Sequence, residues 1–259
     1  MKQLFNLHTH TSRCGHASGS DEEYVLAAIK AGYKVLGFSD HCPYMEYPNK
    51  RVHMDWDELE DYISSINALK EKYKDQIEIH VGLESEYFPQ FHEEKEYLRS
   101  KVEYMIFGQH FLLPECKHSY FGNVSDAEIN AYVDQVLKGL DSGLFTYLCH
   151  PDVFMNSQTA FTEACYNAAH KIAQKAVETD TPVEINIRGA QKGKKEFRDG
   201  SFQFWYPNKQ FWKIMAEYPI KCVVGVDAHA PEDLLDKEAL EAAYEELSDL
   251  NLNYVKVIV

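Results

Sequence analysis

Twelve histidines are spread along this chain, and three of them, His8, His10 and His16, fall in the single N-terminal stretch LFNLHTHTSRCGHA. Further on, ligand-type residues close short β-rich runs: His41, Glu84, His110, His150, and Asp227 with His229. Neutral imidazoles with a few carboxylates and no thiolate suit zinc, iron or manganese, whereas calcium and magnesium prefer all-oxygen shells. The pattern points to a cluster of transition metals. An isolated His-x-His or Asp-x-His carries little weight; the recurrence at run after run carries the reading. His53, His80, His92, His118 and His170 lie off those ends and take no role, with His80 placed facing inward from its strand.

For these residues to meet, the elements that carry them must bring their ends together. Runs rich in β-branched and aromatic residues at 4–10, 35–41, 77–85, 104–110, 145–150, 182–187, 222–229 and 254–259 read as strands. Amphipathic stretches at 21–32, 55–73, 126–143, 161–179 and 231–250 read as helices between them. Gly32 suits a helix C-cap, and Pro231 followed by acidic residues suits a helix start. Alternation of this kind predicts parallel strands joined by helices. In a parallel barrel the carboxyl ends of the strands gather on one face, where barrel enzymes assemble their sites. Side chains two apart on a strand share a face, so His8 pairs with His10 and Asp227 with His229, while Cys149 turns away from His150 as a buried structural thiol.

The bulk composition sets the outer limits. At 259 residues with no repeat, low-complexity tract or long linker, residues 1–259 read as one domain, and 45% hydrophobic with 26% charged residues is a globular balance. A formal charge of −15 and the lack of a basic stripe argue against a nucleic-acid partner. A small phosphorylated substrate stays compatible, because bound cations reverse the local field. Six widely spaced cysteines without a C-x-x-C pair read as reduced thiols. No apolar leader and no membrane-length run is present, which predicts a cytoplasmic protein without a membrane partner. The oligomeric state is not legible.

The segments His8-Thr9-His10, Asp40-His41, Gly82-Leu83-Glu84, His110, His150 and Asp227-Ala228-His229 stand in the order found in the PHP (polymerase and histidinol phosphatase) superfamily. Over nearly its whole length the chain resembles the stand-alone histidinol-phosphatases of that family. The resemblance implies a single distorted (β/α)7 TIM-like barrel of the α/β class, with a trinuclear centre of zinc, iron or manganese at the carboxyl ends of its strands. His8, His10, Glu84 and Asp227 would hold the first metal, and Glu84 would bridge to a second completed by His110 and His150. His16, His41 and His229 would hold the third.

Two cations sharing a carboxylate can lower the pKa of a bridging water and deliver hydroxide in line to phosphorus, with no protein nucleophile. Glu84, Asp227 and His229 thus stand closest to the chemistry, with Asp40 beside His41 as an orienting or proton-passing group. Arg188, just after a strand, is the leading phosphate fork, because guanidinium matches phosphate bidentately. Lys192 and Arg198 follow in the same basic segment, and Glu115, past His110, is a candidate for a cationic amine. The resemblance implies hydrolysis of L-histidinol phosphate in histidine biosynthesis. Phosphotyrosine protein, a small sugar or nucleotide phosphate, and a non-catalytic metal-binding role are the competing readings.

Overall fold

A computed structural model of the protein describes residues 3–256. Four parallel strands, β1 (Phe5–Asn6), β2 (Val35–His41), β3 (Glu78–Ser85) and β4 (Tyr104–Phe107), lie side by side in chain order. A short hairpin of β5 (Phe111–Leu113) and β6 (Lys117–Ser119) follows β4. β7 (Val183–Asn186) leads to a second hairpin, β8 (Lys194–Glu196) with β9 (Phe202–Phe204). β7 then pairs in parallel with β10 (Lys221–Gly225), and β10 with β11 (Asn253–Tyr254).

Single parallel bridges join these sheets, Phe107 to Leu148, Leu148 to Val183, and Thr9 to Ala228, so the sheet curls back toward its first strand. The stretch 145–150 thus contributes one bridge residue where a full strand was expected. At the seam between β1 and β10 side chains replace the backbone ladder: the Gln3 amide bonds both N–H and C=O of Val224, and Asn6 accepts from the Val226 N–H at 2.9 Å. Of the expected last strand 254–259, residues 257–259 lie outside the described residues.

Helices α1 (Asp21–Ala31), α2 (Leu59–Tyr73), α3 (His92–Lys101), α4 (Asp126–Asp141) and α5 (Glu163–Glu178) cover the outer face, with short α6 (Arg188–Gln191), α7 (Lys209–Met215) and α8 (Lys237–Glu246) after β7. Ser20 with Glu23 and Ser125 with Glu128 form capping boxes that satisfy the first N–H groups of α1 and α4. Three helices are not legible in the sequence: α3 is strongly charged and α6 and α7 are short, so none shows a long apolar stripe. The expected helix 231–250 is split, because a 3-10 turn over Pro231–Leu235 ends at Asp236, whose side chain then caps α8. Among the described residues no helix is long and apolar enough to cross a membrane.

Strand alternation divides the core. Leu36, Phe38, Ile79, Val81, Leu83, Met105 and Phe107 pack outward against the helices, while Leu7, Tyr104, Ile106, Tyr147, Cys149 and Val223 form a smaller cluster inside the curl. The Tyr104 hydroxyl reaches 2.8 Å from the Leu7 carbonyl and 3.0 Å from that of Phe38. Gly82 leaves room for this ring, since a Cβ there would lie 2.4 Å from it. The cluster plugs the interior below the strand ends, so the polar residues above it rest on a packed floor.

Candidate active site

Glu84 is the centre of the polar face. It lies 1% exposed at the end of β3, and its two oxygens look at different neighbours. Oε1 faces Nε2 of His8 at 3.5 Å, of His110 at 3.2 Å and of His150 at 3.0 Å. Oε2 faces His10 Nε2 at 3.5 Å and His41 Nδ1 at 3.1 Å. The register Asp40↔Leu83, His41↔Glu84 on β2 and β3 sets the last pair side by side. Asp227, just beyond β10, places Oδ1 3.6 Å from His8 Nε2, 3.2 Å from His10 Nε2 and 3.2 Å from His229 Nδ1. His16, on the loop after β1, brings its Nε2 to 3.0 Å from that of His229. All nine expected ligand residues therefore meet in one place.

The donor chemistry fits metal cations. His16 Nδ1 lies 3.1 Å from the Cys14 carbonyl and His229 Nδ1 lies 3.0 Å from the Asp227 carbonyl. Carbonyl oxygens only accept, so each ring carries its proton on Nδ1 and the two facing Nε2 atoms both present lone pairs. His110 repeats the pattern, with Nδ1 on Glu86 at 2.9 Å and Nε2 3.3 Å from that of His150. The buried Nε2 atoms of His8 and His10 have no hydrogen-bond partner. Close sets of ligand atoms occur at His8, His10 and Asp227, at His8, Glu84 and His150, and at His10, His41 and His229. Ring nitrogens and carboxylate oxygens converging in this way form the donor set of a divalent cation.

The electrostatics agree. Burial disfavours charge on every group here, yet Glu84 is held well below the usual carboxylate range by His110, His8 and His41, and Asp227 by His8, His10 and His229. His8 and His10 are pushed up against their own burial, His8 by Glu184 and Asp227, His10 by Asp227 and Asp40. Burial and the neighbouring His10 push His41 well down and His229 to about 3. The imidazoles nearest the carboxylates hold protons where cations would sit, and metal binding displaces such protons.

A cavity of about 410 Å3 opens over this cluster, lined by His16, His41, Glu84, Glu86, His110, Asp227 and His229 on its floor. Arg188 and Lys192 stand on one wall, and Val52, Phe111, Ser119 and Phe121 on another. Arg188 Nη1 donates to the Asp227 carbonyl at 3.1 Å and lies 3.4 Å from Asp233, whose carboxylate also accepts the His229 and Ala230 N–H groups. Lys192 is exposed, with its ammonium 5.5 Å from the Tyr206 ring centre and its pKa lowered by partial desolvation and by Arg188. A second cavity of about 440 Å3 lies at the opposite strand ends, between Phe5, Val35, Tyr244 and Tyr254, and has no acid or imidazole in its lining.

Three candidate residues sit elsewhere. Glu115 is exposed at the turn of the β5–β6 hairpin, outside the cavity lining. Asp40 is fully buried, bonded to the Thr11 hydroxyl and the His41 N–H, with Oδ1 3.4 Å from His10 Nδ1, so it backs His10 and does not face the cavity. Arg198 lies in a separate surface groove with Asn123 and Glu128. The sequence reading missed Glu86, which accepts from His110 and His53 and from the Tyr44 hydroxyl. Its position two residues after Glu84, just past the end of β3, was the available signal. His53, expected to be idle, is buried beside it.

Comparison with known proteins gives this geometry a lineage, since the PHP domain matches residues 6–188. The chain belongs to the PHP domain family. This PHP protein is 28% identical over 246 residues to the probable histidinol-phosphatase of Deinococcus radiodurans, an alignment covering 90% of this chain and 89% of that one. It is 24% identical over 261 residues to the probable histidinol-phosphatase of Schizosaccharomyces pombe, covering 88% and 81%. Its fold superposes with a TM-score of 0.76 on the histidinol phosphate phosphatase of Lactococcus lactis complexed with zinc, L-histidinol and phosphate, at 16% identity and over 99% and 97% of the two chains.

Proposed function

We propose that this PHP protein is a metal-dependent phosphomonoesterase that hydrolyses L-histidinol phosphate to L-histidinol and phosphate. The observation that carries the reading is the arrangement at Glu84, whose two oxygens face separate sets of imidazoles on the floor of a cavity with Arg188 and Lys192 on its wall. The names of the two relatives that align over most of the chain support the choice of substrate. The bridges that return the sheet to β1 support a distorted (β/α)7 barrel.

The ligand sets support three ions of zinc, iron or manganese. His8, His10, Glu84 and Asp227 would hold the first, Glu84, His110 and His150 the second, and His16, His41 and His229 the third. Such ions supply Lewis acidity toward the phosphoryl group and lower the pKa of a water. The chain's own residues do the rest. Glu84 and Asp227 keep the negative charge that retains the cations. Arg188, anchored through Nη1, aims its remaining N–H groups at a phosphate, and Lys192 adds a second positive charge. Phe111 and Phe121 form the apolar wall for the organic half of the ester and exclude water, which strengthens every charge interaction within.

The test is phosphate release from a panel of monoesters by metal-loaded protein. L-histidinol phosphate should give the highest kcat/KM. A higher value for phosphotyrosine, a sugar phosphate or a nucleotide would keep the centre and overturn the substrate.

A further inference from the structure

We propose that Glu184, on β7, is a positioning residue that selects the metal-binding tautomer of His8 and steadies two further ligands, His150 directly and Asp227 through Asn186. This rests on the metal centre proposed above. Glu184 is completely buried and no Lys or Arg pairs with it among the described residues. Its Oε1 accepts from His8 Nδ1 at 2.8 Å. Its Oε2 accepts the His150 N–H at 3.2 Å and the Asn186 side-chain amide at 2.9 Å. The same amide nitrogen reaches Asp227 Oδ2 at 3.2 Å. One carboxylate thus ties together ligands delivered by three different parts of the sheet.

Its charge state matters as much as its shape. A carboxylate accepts only, so His8 keeps a proton on Nδ1, which leaves Nε2, the nitrogen that faces Glu84 and Asp227, as the one able to bind a metal. His150 has φ 26° and Asp227 φ 56°, left-handed conformations that a non-glycine residue holds only when its surroundings fix it. Glu184 bonds the backbone of the first, and Asn186 the side chain of the second. β10 makes room for this arrangement at Gly225, where a Cβ would lie 1.7 Å from Glu184 Oε1.

Glu184→Gln exposes the dependence. If the amide oxygen faces His8, the NH2 group opposes two donors, the His150 N–H and the Asn186 amide. If it flips, NH2 faces Nδ1, the proton moves to Nε2, and His8 can no longer ligate.

The experiment combines elemental analysis after dialysis against a competing chelator with heteronuclear NMR of the imidazole nitrogens of the zinc-loaded protein. In wild type His8 should carry its proton on Nδ1. Glu184→Gln should bind metal about 10- to 100-fold more weakly and retain fewer ions per chain, while Glu184→Asp, which keeps the charge, should recover part of the loss. Wild-type His8 protonated on Nε2, or a folded Glu184→Gln with unchanged metal affinity, overturns the proposal; the wild-type spectrum decides if the glutamine variant does not fold. A wild-type chain that takes up no metal overturns the centre itself, a failure distinct from that of the positioning role.

Discussion

Replacing Arg188 by alanine removes the one guanidinium on the wall of the candidate site. The side chain is 29% exposed, and one nitrogen is already committed to the Asp227 carbonyl at 3.1 Å and to Asp233 at 3.4 Å. The nitrogens left over are the ones that would meet the phosphate. Loss of charge-assisted hydrogen bonds to it costs about 1.5–3 kcal/mol. That corresponds to a loss of roughly 10- to 200-fold in kcat/KM. If Arg188 binds phosphate equally in ground and transition states, the loss falls on KM. Arg188→Lys keeps a charge but not the fork, so its kcat/KM should lie between the two. The assay is steady-state phosphate release from L-histidinol phosphate, with metal content measured on the same preparations to separate phosphate binding from disturbance of Asp227. A kcat and KM both within about twofold of wild type at unchanged metal content would refute the phosphate role, and Lys192 would take its place.

Glu84→Gln should lower metal content and cut turnover by more than the roughly 10- to 100-fold typical of residues that only support a ligand, while circular dichroism stays unchanged. Normal metal content and rate would show that Glu84 is not the bridge. Tyr104→Phe strips the donor from the Leu7 and Phe38 carbonyls and should destabilise the fold by about 1–3 kcal/mol, read as a lower Tm in denaturation of metal-free protein; an unchanged Tm would mean that water replaces the hydroxyl. Burial disfavours the His53 imidazolium, but Glu86 outweighs it and raises its pKa from 6.5 to about 9. A folded-state pKa above the unfolded one stabilises fully below pH 6.5 and is lost as pH rises through about 9. Metal-free wild type should therefore lose more Tm than His53→Gln across that interval, and parallel profiles would contradict the pairing.

The centre was legible in the sequence because metal ligation restricts residue types severely and parallel strands deliver such residues at their ends. His8 and His10, or Asp227 and His229, needed only the two-residue period of a strand to be paired. What was not legible depends on contacts distant in sequence. Nothing local marks His53 as a partner of Glu86, 33 positions away, or turns Asp40 away from the cavity toward His10. Glu115 failed for a related reason: it follows His110 closely in the chain, but the β5–β6 hairpin carries it to an exposed turn. Composition reads 145–150 as a strand, and the structure buries Tyr147 to His150 while leaving bridges only at Leu148. At the β1–β10 seam, closure by the Gln3 and Asn6 side chains has no periodic signature at all.

Metal-dependent hydrolysis of L-histidinol phosphate is tested most directly by phosphate release from protein stripped with a chelator and reloaded stepwise, with bound metal counted on the same samples. The rate should vanish on stripping and return with added zinc, iron or manganese, reaching its plateau at about three ions per chain. Full activity in protein that holds no metal would contradict it.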